Sequence, residues 1–286
     1  MAKQITVIRN YMRSDEIVSL FAEAVGKANA SPYISSALLA VASNPALLEC
    51  TPQSIASSAM QAATLKLSCD PGTGQAWMVP YNSKEGKKAT FQIGYRGYYA
   101  MAMRTNKYVR INLSKVVEGQ TVVEDQRTGD IVIEGPYKRD ADPIGYMLYF
   151  RMTNGFEKTF YMSIEEIEAH KTRYAKGFNR TDSAWKTSYE AMCKKTVMRI
   201  GLKSYGYFDP HDMLLLKESN DDEDVIDAEV EELPEVTEEM EHSEFEGKSV
   251  NEMVSLLGYD DDDEPEKPET VIDPETGEVI QMEMLK

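Results

Sequence analysis

Residues 75–105 read QAWMVPYNSKEGKKATFQIGYRGYYAMAMRT. Two short apolar runs, 75–81 and 89–95, flank the polar stretch 82–88, which is the pattern of a β-hairpin. Directly behind the second run the spacing changes, and Tyr95–Thr105 reads as a short helix. A hairpin that runs straight into a helix puts sheet and helix in one body.

On the N-terminal side the chain is helical. Ser14 caps a helix whose first turn carries Asp15 and Glu16, with Ile17, Leu20, Phe21 and Ala24 on one face. A second helix is expected after Ser31-Pro32, stopping by Asn44-Pro45. A third starts at Thr51-Pro52 and runs through Ile55, Ala59 and Ala62 to about Leu67. On the C-terminal side, 107–119 alternates as a strand. The runs 143–153 and 156–163 flank Asn154-Gly155, a strong hairpin signal. Ser163 and Glu166 form a capping box for a helix to about Lys176, and a last long helix spans about Ser183 to Tyr205. The expected fold class is α+β. It has an N-terminal helical lobe (1–67), then a core (68–216) with a small, mainly antiparallel sheet, a short helix among its strands and long C-terminal helices. A tail (217–286) follows.

The formal net charge of −17 hides a segregation. Residues 1–216 hold 27 Lys and Arg against 21 Asp and Glu, a balance of +6. Residues 217–286 hold 4 against 27, a balance of −23. A mildly basic body therefore precedes an acidic, Pro-containing tail that is expected to be disordered. Within the tail, Ser249 and Glu252 form a second capping box, and Val250, Met253, Val254 and Leu257 share one face of a helix expected over 249–258. That face is a candidate docking surface for a partner, and the acidic tail a competitor for any basic groove.

Catalytic chemistry is sparse. Cys50, Cys69 and Cys193 are far apart and form no C-x-x-C pair, which argues for a reducing, cytoplasmic setting. No apolar run reaches the roughly 18 residues of a membrane helix. Gly247-Lys248-Ser249 lacks the upstream glycine of a phosphate loop, since position 242 is His242. His170, His211 and His242 have no metal-ligand spacing, so neither metal nor cofactor is expected. Scattered carboxylates leave a metal-dependent nuclease as an alternative.

The positive residues point to a polyanion. Wound as one helix, 183–205 sets Trp185, Tyr189, Met192, Thr196 and Ile200 toward a core, with Lys195, Arg199 and Lys203 as a ladder beside them. No acid within that helix sits four residues from a rung. In the opening stretch, Gly94 and Gly97 permit close approach of a backbone or ligand. Tyr95, Tyr98 and Tyr99 offer base-sized faces. Arg96, Arg104, Lys107 and Arg110 make a positive strip. The competing reading makes Tyr98 and Met101 core and Gly97 a packing contact. Trp77 and Trp185 read as core. Gly94-Tyr95-Arg96-Gly97 also matches the G-x-x-G clamp of KH domains, leaving an RNA-binding adaptor as a further alternative.

The segments AWMVPY (76–81), FQIGYRGYYAMAMRT (91–105), NGFEKTFYMSIEEIEAHK (154–171) and AMCKKTVMR (191–199) occur in register. They resemble the RecT family of phage and prophage single-strand annealing proteins, over roughly 33–208. The resemblance implies an ATP-independent protein that coats single-stranded DNA, pairs it with its complement and holds the duplex in a helical or ring oligomer. It also implies a 5′→3′ exonuclease and the host single-stranded-DNA-binding protein as partners, with no bond chemistry of its own. DNA contact then falls to Gln92, Tyr95, Arg96, Tyr99, Arg104, Lys107, Arg110, Lys194, Lys195, Thr196 and Arg199, with Lys203 as the last rung of the ladder.

Overall fold

The computed structural model describes residues 2–83, 86–175, 177–181, 183–218, 271–272 and 279–280. Residues 1–246 and 247–286 are two separate compact units.

The first unit opens with α1 (Ala2–Met12), α2 (Asp15–Val25), α3 (Lys27–Ser43) and α4 (Pro52–Thr64), with a short 3-10 turn over Pro45–Glu49. Ser14 caps α2 by accepting the Ile17 N–H, and Thr51 caps α4 by accepting the Ser54 N–H, with Pro52 at the first helical position. α1 was not anticipated. It contributes Ile8, Tyr11 and Met12 to a core with Ile17 and Phe21. α3 starts at Lys27, so Pro32 lies inside it and not at its start. The residues of α4 turned inward are mostly Ala and Ser, and these small side chains let a hairpin pack closely on it.

That hairpin is β1 (Ala76–Ser83) and β2 (Gly86–Ile93), antiparallel, with Trp77 opposite Gln92 and Tyr81 opposite Lys88. Its inward face carries Ala76, Met78, Ala89, Phe91 and Ile93, all buried. Burying Phe91 contributes on the order of 2 kcal/mol. The outward face carries Trp77, Val79, Tyr81, Lys88, Thr90 and Gln92, by the period-2 rule. α5 (Tyr95–Arg104) follows as expected.

The second sheet has the order β3 (Tyr108–Val117), β6 (Pro143–Met152), β7 (Glu157–Ser163), all antiparallel. Gly155 turns the last two strands at φ +88°. Between β3 and β6 the chain forms a two-stranded ribbon, β4 (Thr121–Asp125) with β5 (Asp130–Glu134), in a stretch for which no element was expected. α6 (Ile164–Tyr174) begins with the full Ser163–Glu166 capping box.

The expected single helix 183–205 is two: α7 (Ala184–Thr187) and α8 (Tyr189–Tyr205). Ser188, at φ −145° and ψ 47°, breaks them. The break shifts the helical phase. The buried side of α8 is therefore Cys193, Val197, Met198, Gly201 and Leu202, together with Lys195 and Thr196, and Tyr189, Met192 and Ile200 are only half-buried. Gly201 lets α8 lie on the sheet: a Cβ there would stand 2.8 Å from both Leu148 and Phe160.

A last helix, α9 (Pro210–Glu218), was also not anticipated. Arg104 binds it: the guanidinium donates to Asp212 Oδ2 at 2.5 Å and to the Leu65 carbonyl at 2.5 Å. One side chain thus joins the end of α4, the end of α5 and α9, and Asp212 is buried. In the second unit β8 (Val271–Ile272) pairs antiparallel with β9 (Val279–Ile280). The expected docking helix 249–258, with Val250, Met253, Val254 and Leu257, lies outside the described residues.

Arg104→Ala and Asp212→Ala should each destabilise the protein by about 3 kcal/mol, because each leaves the other partner of a largely buried ion pair uncompensated. In urea unfolding the double variant should lose clearly less than the two single losses combined.

Candidate nucleic-acid interface

The turn into α5 depends on two buried glycines. A Cβ on Gly94 would lie 2.3 Å from the Gly74 carbonyl oxygen, and one on Gly97 would lie 2.3 Å from the Gln75 carbonyl oxygen. Both approaches are far inside contact distance. The glycines therefore admit the protein's own backbone, not a ligand strand. Gly94-Tyr95-Arg96-Gly97 is the cap and first turn of a helix, not an open loop. This packing turns Tyr98 and Met101 into the core and sends Tyr95, Arg96 and Tyr99 outward, with Tyr99 42% exposed.

The outward rings and charges of α5 adjoin the outward face of the hairpin. Trp77, expected in the core, is 43% exposed, whereas Trp185 is buried as expected. The Trp77 indole nitrogen lies beside Gly94. Gln92 Nε2 donates to the Tyr81 hydroxyl at 3.0 Å, and Lys195 Nζ donates to Gln92 Oε1 at 3.5 Å. Lys195 is thus a buried lysine whose head meets the outward face of the hairpin through Gln92. Lys194 lies 6.0 Å from the centroid of the Tyr95 ring, within cation–π reach. It also pairs with Glu190 at 2.6 Å. That hydrogen bond holds the Glu190 carboxyl below the usual glutamate range. Tyr95, Ser188, Tyr189, Glu190 and Lys194 line a depression of about 440 Å³. Arg96 is exposed, donates to the Tyr95 hydroxyl at 3.3 Å and to the Thr73 carbonyl at 3.4 Å, and meets no carboxylate among the described residues.

The remaining expected residues fall elsewhere. Arg104 is held in the structural clamp described above. Thr196 is buried and donates to the Met192 carbonyl. The ladder is not a free row. Arg199 approaches His170 at 3.5 Å and Lys203 donates to the Leu216 carbonyl at 3.4 Å, while Lys195 is buried. Lys107 is exposed in the turn after α5, its carbonyl bonded by the Thr153 N–H. Arg110 lies on β3, facing away from α8. So Gln92, Tyr95, Arg96, Tyr99, Lys194 and Lys195 converge, and the strip from Gln92 to Arg110 is not one surface. Trp77 and Tyr81 were missed. The alternation in AWMVPY that buries Ala76 and Met78 was the signal that would have turned them outward.

The three cysteine thiols are buried. Burial pushes the Cys50 and Cys193 thiols up to about 11 and the Cys69 thiol up to about 12, so all three stay protonated at neutral pH. Among the described residues, no three His, Cys, Asp or Glu side chains converge as metal ligands would, and no helix is long and apolar enough to cross a membrane.

Rings, a carboxamide and cations, set on rigid elements, make a surface suited to binding a flat, anionic chain. The sequence agrees with that class. A model of the RecT family matches residues 31–234, and the chain belongs to the RecT family, the DNA recombination and strand-annealing proteins. It is 38% identical over 205 residues to "Uncharacterized protein YqaK" of Bacillus subtilis strain 168, covering 71% of this chain and 69% of that one. It is 28% identical over 160 residues to "Protein RecT" of Escherichia coli K12, covering 54% of this chain and 58% of that one.

Gly97→Ala should destabilise the fold by about 3 kcal/mol in urea unfolding, since backbone and not a flexible side chain meets the new methyl. A stable Gly97→Ala protein with weakened DNA binding would reverse the assignment and make the glycine a ligand contact.

Proposed function

We propose that this protein binds single-stranded DNA without sequence preference and anneals it to its complement, without ATP, as an oligomer. The observation that carries the proposal is the shared outward surface of the β1–β2 hairpin, α5 and the start of α8. Trp77, Tyr81, Tyr95 and Tyr99 are the stacking faces. Arg96 and Lys194 meet phosphates, and Lys195 holds Gln92 in place. Stacking accepts any base because every base has a π-face, and none of these groups is arranged to read one base edge over another. The physical work is charge neutralisation. Two polyanions repel; cations on the protein lower that repulsion, and Watson–Crick pairing selects the product. The same reading gives the protein a 5′→3′ exonuclease and a host single-stranded-DNA-binding protein as partners, and places it in the cytoplasm with its DNA.

Purified protein should accelerate annealing of two complementary labelled oligonucleotides without nucleotide, and leave both strands uncut when magnesium is added. Cleavage would mean a nuclease, and a strong preference for RNA over DNA of the same sequence would mean an RNA adaptor. Trp77→Ala should weaken single-strand binding about tenfold, the value of one stacked base. Lys194→Ala should lower the slope of log K against log[salt] by about 0.7, one phosphate contact. Unchanged affinity and slope in both variants would remove the proposed surface.

Glu190 competes with phosphate for Lys194. Its carboxyl titrates below the usual glutamate range, so at neutral pH it is fully ionised and the competition is complete. Glu190→Gln should therefore tighten binding at pH 7 about threefold, by analogy with other partly exposed ion pairs. That gain should shrink as pH falls through the depressed pKa, where the native carboxyl also becomes neutral. A fluorescence-anisotropy titration across pH checks both.

A further inference from the structure

Residues 183–200 contain neither proline nor glycine, yet the helix breaks at Ser188, and Ser188 and Tyr189 line the depression at the start of α8. The side chain that ties both sides of this break together comes from α6. Lys171 Nζ stands 5.5 Å from the ring centroid of Phe178, in the turn between α6 and α7. It stands 5.6 Å from that of Trp185 on α7 and 5.9 Å from that of Tyr189 on α8. Glu168, one turn back on α6, bonds the same ammonium and accepts the Tyr189 hydroxyl at 2.7 Å. That Lys171 hydrogen bond holds the Glu168 carboxyl below the usual glutamate range. Trp185 and Tyr189 meet edge to face at 6.1 Å.

A lysine in the last turn of a helix suits the helix dipole, but an ammonium turned to solvent would serve the dipole equally well. The Lys171 side chain is only 15% exposed, with three rings and a carboxylate around its head. Taking an ammonium out of water is costly, and ring quadrupoles together with a paired carboxylate offset that cost. The arrangement is therefore a clamp that draws the turn, α7 and the first turn of α8 onto α6.

We propose that Lys171 is a positioning residue for DNA binding: with Glu168 it holds the α7–α8 break and the Tyr189 ring, and so the shape of the depression where the strand meets Tyr95. It does not touch the strand itself. The proposal rests on the single-strand-binding reading above and adds to it what keeps that surface in shape. Tyr189 is the link, since it belongs both to the ring cage and to the wall of the depression beside Tyr95. Without the cage α7 is free to rewind onto α8 as one helix, which removes the wall at Ser188 and releases the Tyr189 ring.

The test uses full-length Glu168→Gln/Lys171→Met, which removes the clamp and leaves the net charge unchanged. Hydrogen exchange in the free protein should speed up over residues 184–192 and stay unchanged in β6 and β7. Affinity for a mixed-sequence single-stranded oligonucleotide should fall about tenfold, as when one stacked base is lost. The slope of log K against log[salt] should not change. In a Tyr95→Ala background the same pair should cost less than about twofold more, because the two act at one place. Lys171→Arg, which keeps a cation among the rings, should retain most of the affinity. Native affinity despite faster exchange would make the clamp structural only. A slope lowered by about 0.7 would make Lys171 itself a phosphate contact. Full additivity with Tyr95→Ala would place its effect elsewhere. Each of these three overturns the proposal. If the pair does not fold, Tyr189→Phe removes only the hydroxyl bond to Glu168 and should cost about threefold at unchanged slope; native affinity there overturns the proposal too. Wild-type protein that does not bind single-stranded DNA would instead overturn the reading of function, while exchange over 184–192 still shows whether Lys171 holds the break.

Discussion

The backbone contact at the start of α5 fixes everything that follows from it. Gly94 and Gly97 bring the first turn of the helix against the carbonyls of Gly74 and Gln75 so closely that no side chain fits. With α5 held there, its phase is set: Tyr98 and Met101 go in, and Tyr95, Arg96 and Tyr99 go out. The same contact sets the Trp77 indole beside that outward row. Rotating the helix by one residue would bury Arg96 and expose core. The aromatic and cationic character of the surface is thus a consequence of steric exclusion at two positions that carry no functional group.

Electrostatics adds the second constraint. Lys195 is buried, yet its ammonium meets the carboxamide of Gln92, which is itself tied to Tyr81. A buried cation is tolerable only with such polar company. Its charge still contributes to the surface it supports. Lys194 and Glu190 form a pair at the rim, so part of the positive charge is held in reserve by an internal carboxylate. The body as a whole carries +6 and the tail −23. The annealing role proposed above requires release as well as binding, and charge moderated in this way would meet both needs.

Local chemistry was legible in the sequence, and long-range chemistry was not. The Ser14, Thr51 and Ser163 caps, the hairpin at Asn154-Gly155 and the extent of α5 follow from side chains acting on backbone within a few residues, and all were readable. The break at Ser188 was not readable, because nothing nearby stops a helix there, and it rotated the burial pattern of α8 away from the expected stripe. Arg104 was read as a phosphate contact because its partners, Leu65 and Asp212, are 39 and 108 residues distant. Arg199 and Lys203 were read as free for the same reason. α1, α9 and the β4–β5 ribbon are short elements whose stability comes from packing or pairing, not from strong caps. Trp77 was misplaced because tryptophan is usually core, a general tendency that its own strand alternation contradicts.

The chain has two tryptophans, one exposed and one buried, and that difference allows a direct measurement. In a Trp185→Phe protein the emission reports on Trp77 alone. Titration with mixed-sequence single-stranded oligonucleotides should quench that emission and shield it from acrylamide, to the same extent whatever the sequence. Raising the salt concentration should reverse both effects. If Trp77 stays as accessible to acrylamide at saturating DNA as in free protein, the strand does not lie on the outward face of the hairpin, and the interface described above is not where this protein meets DNA.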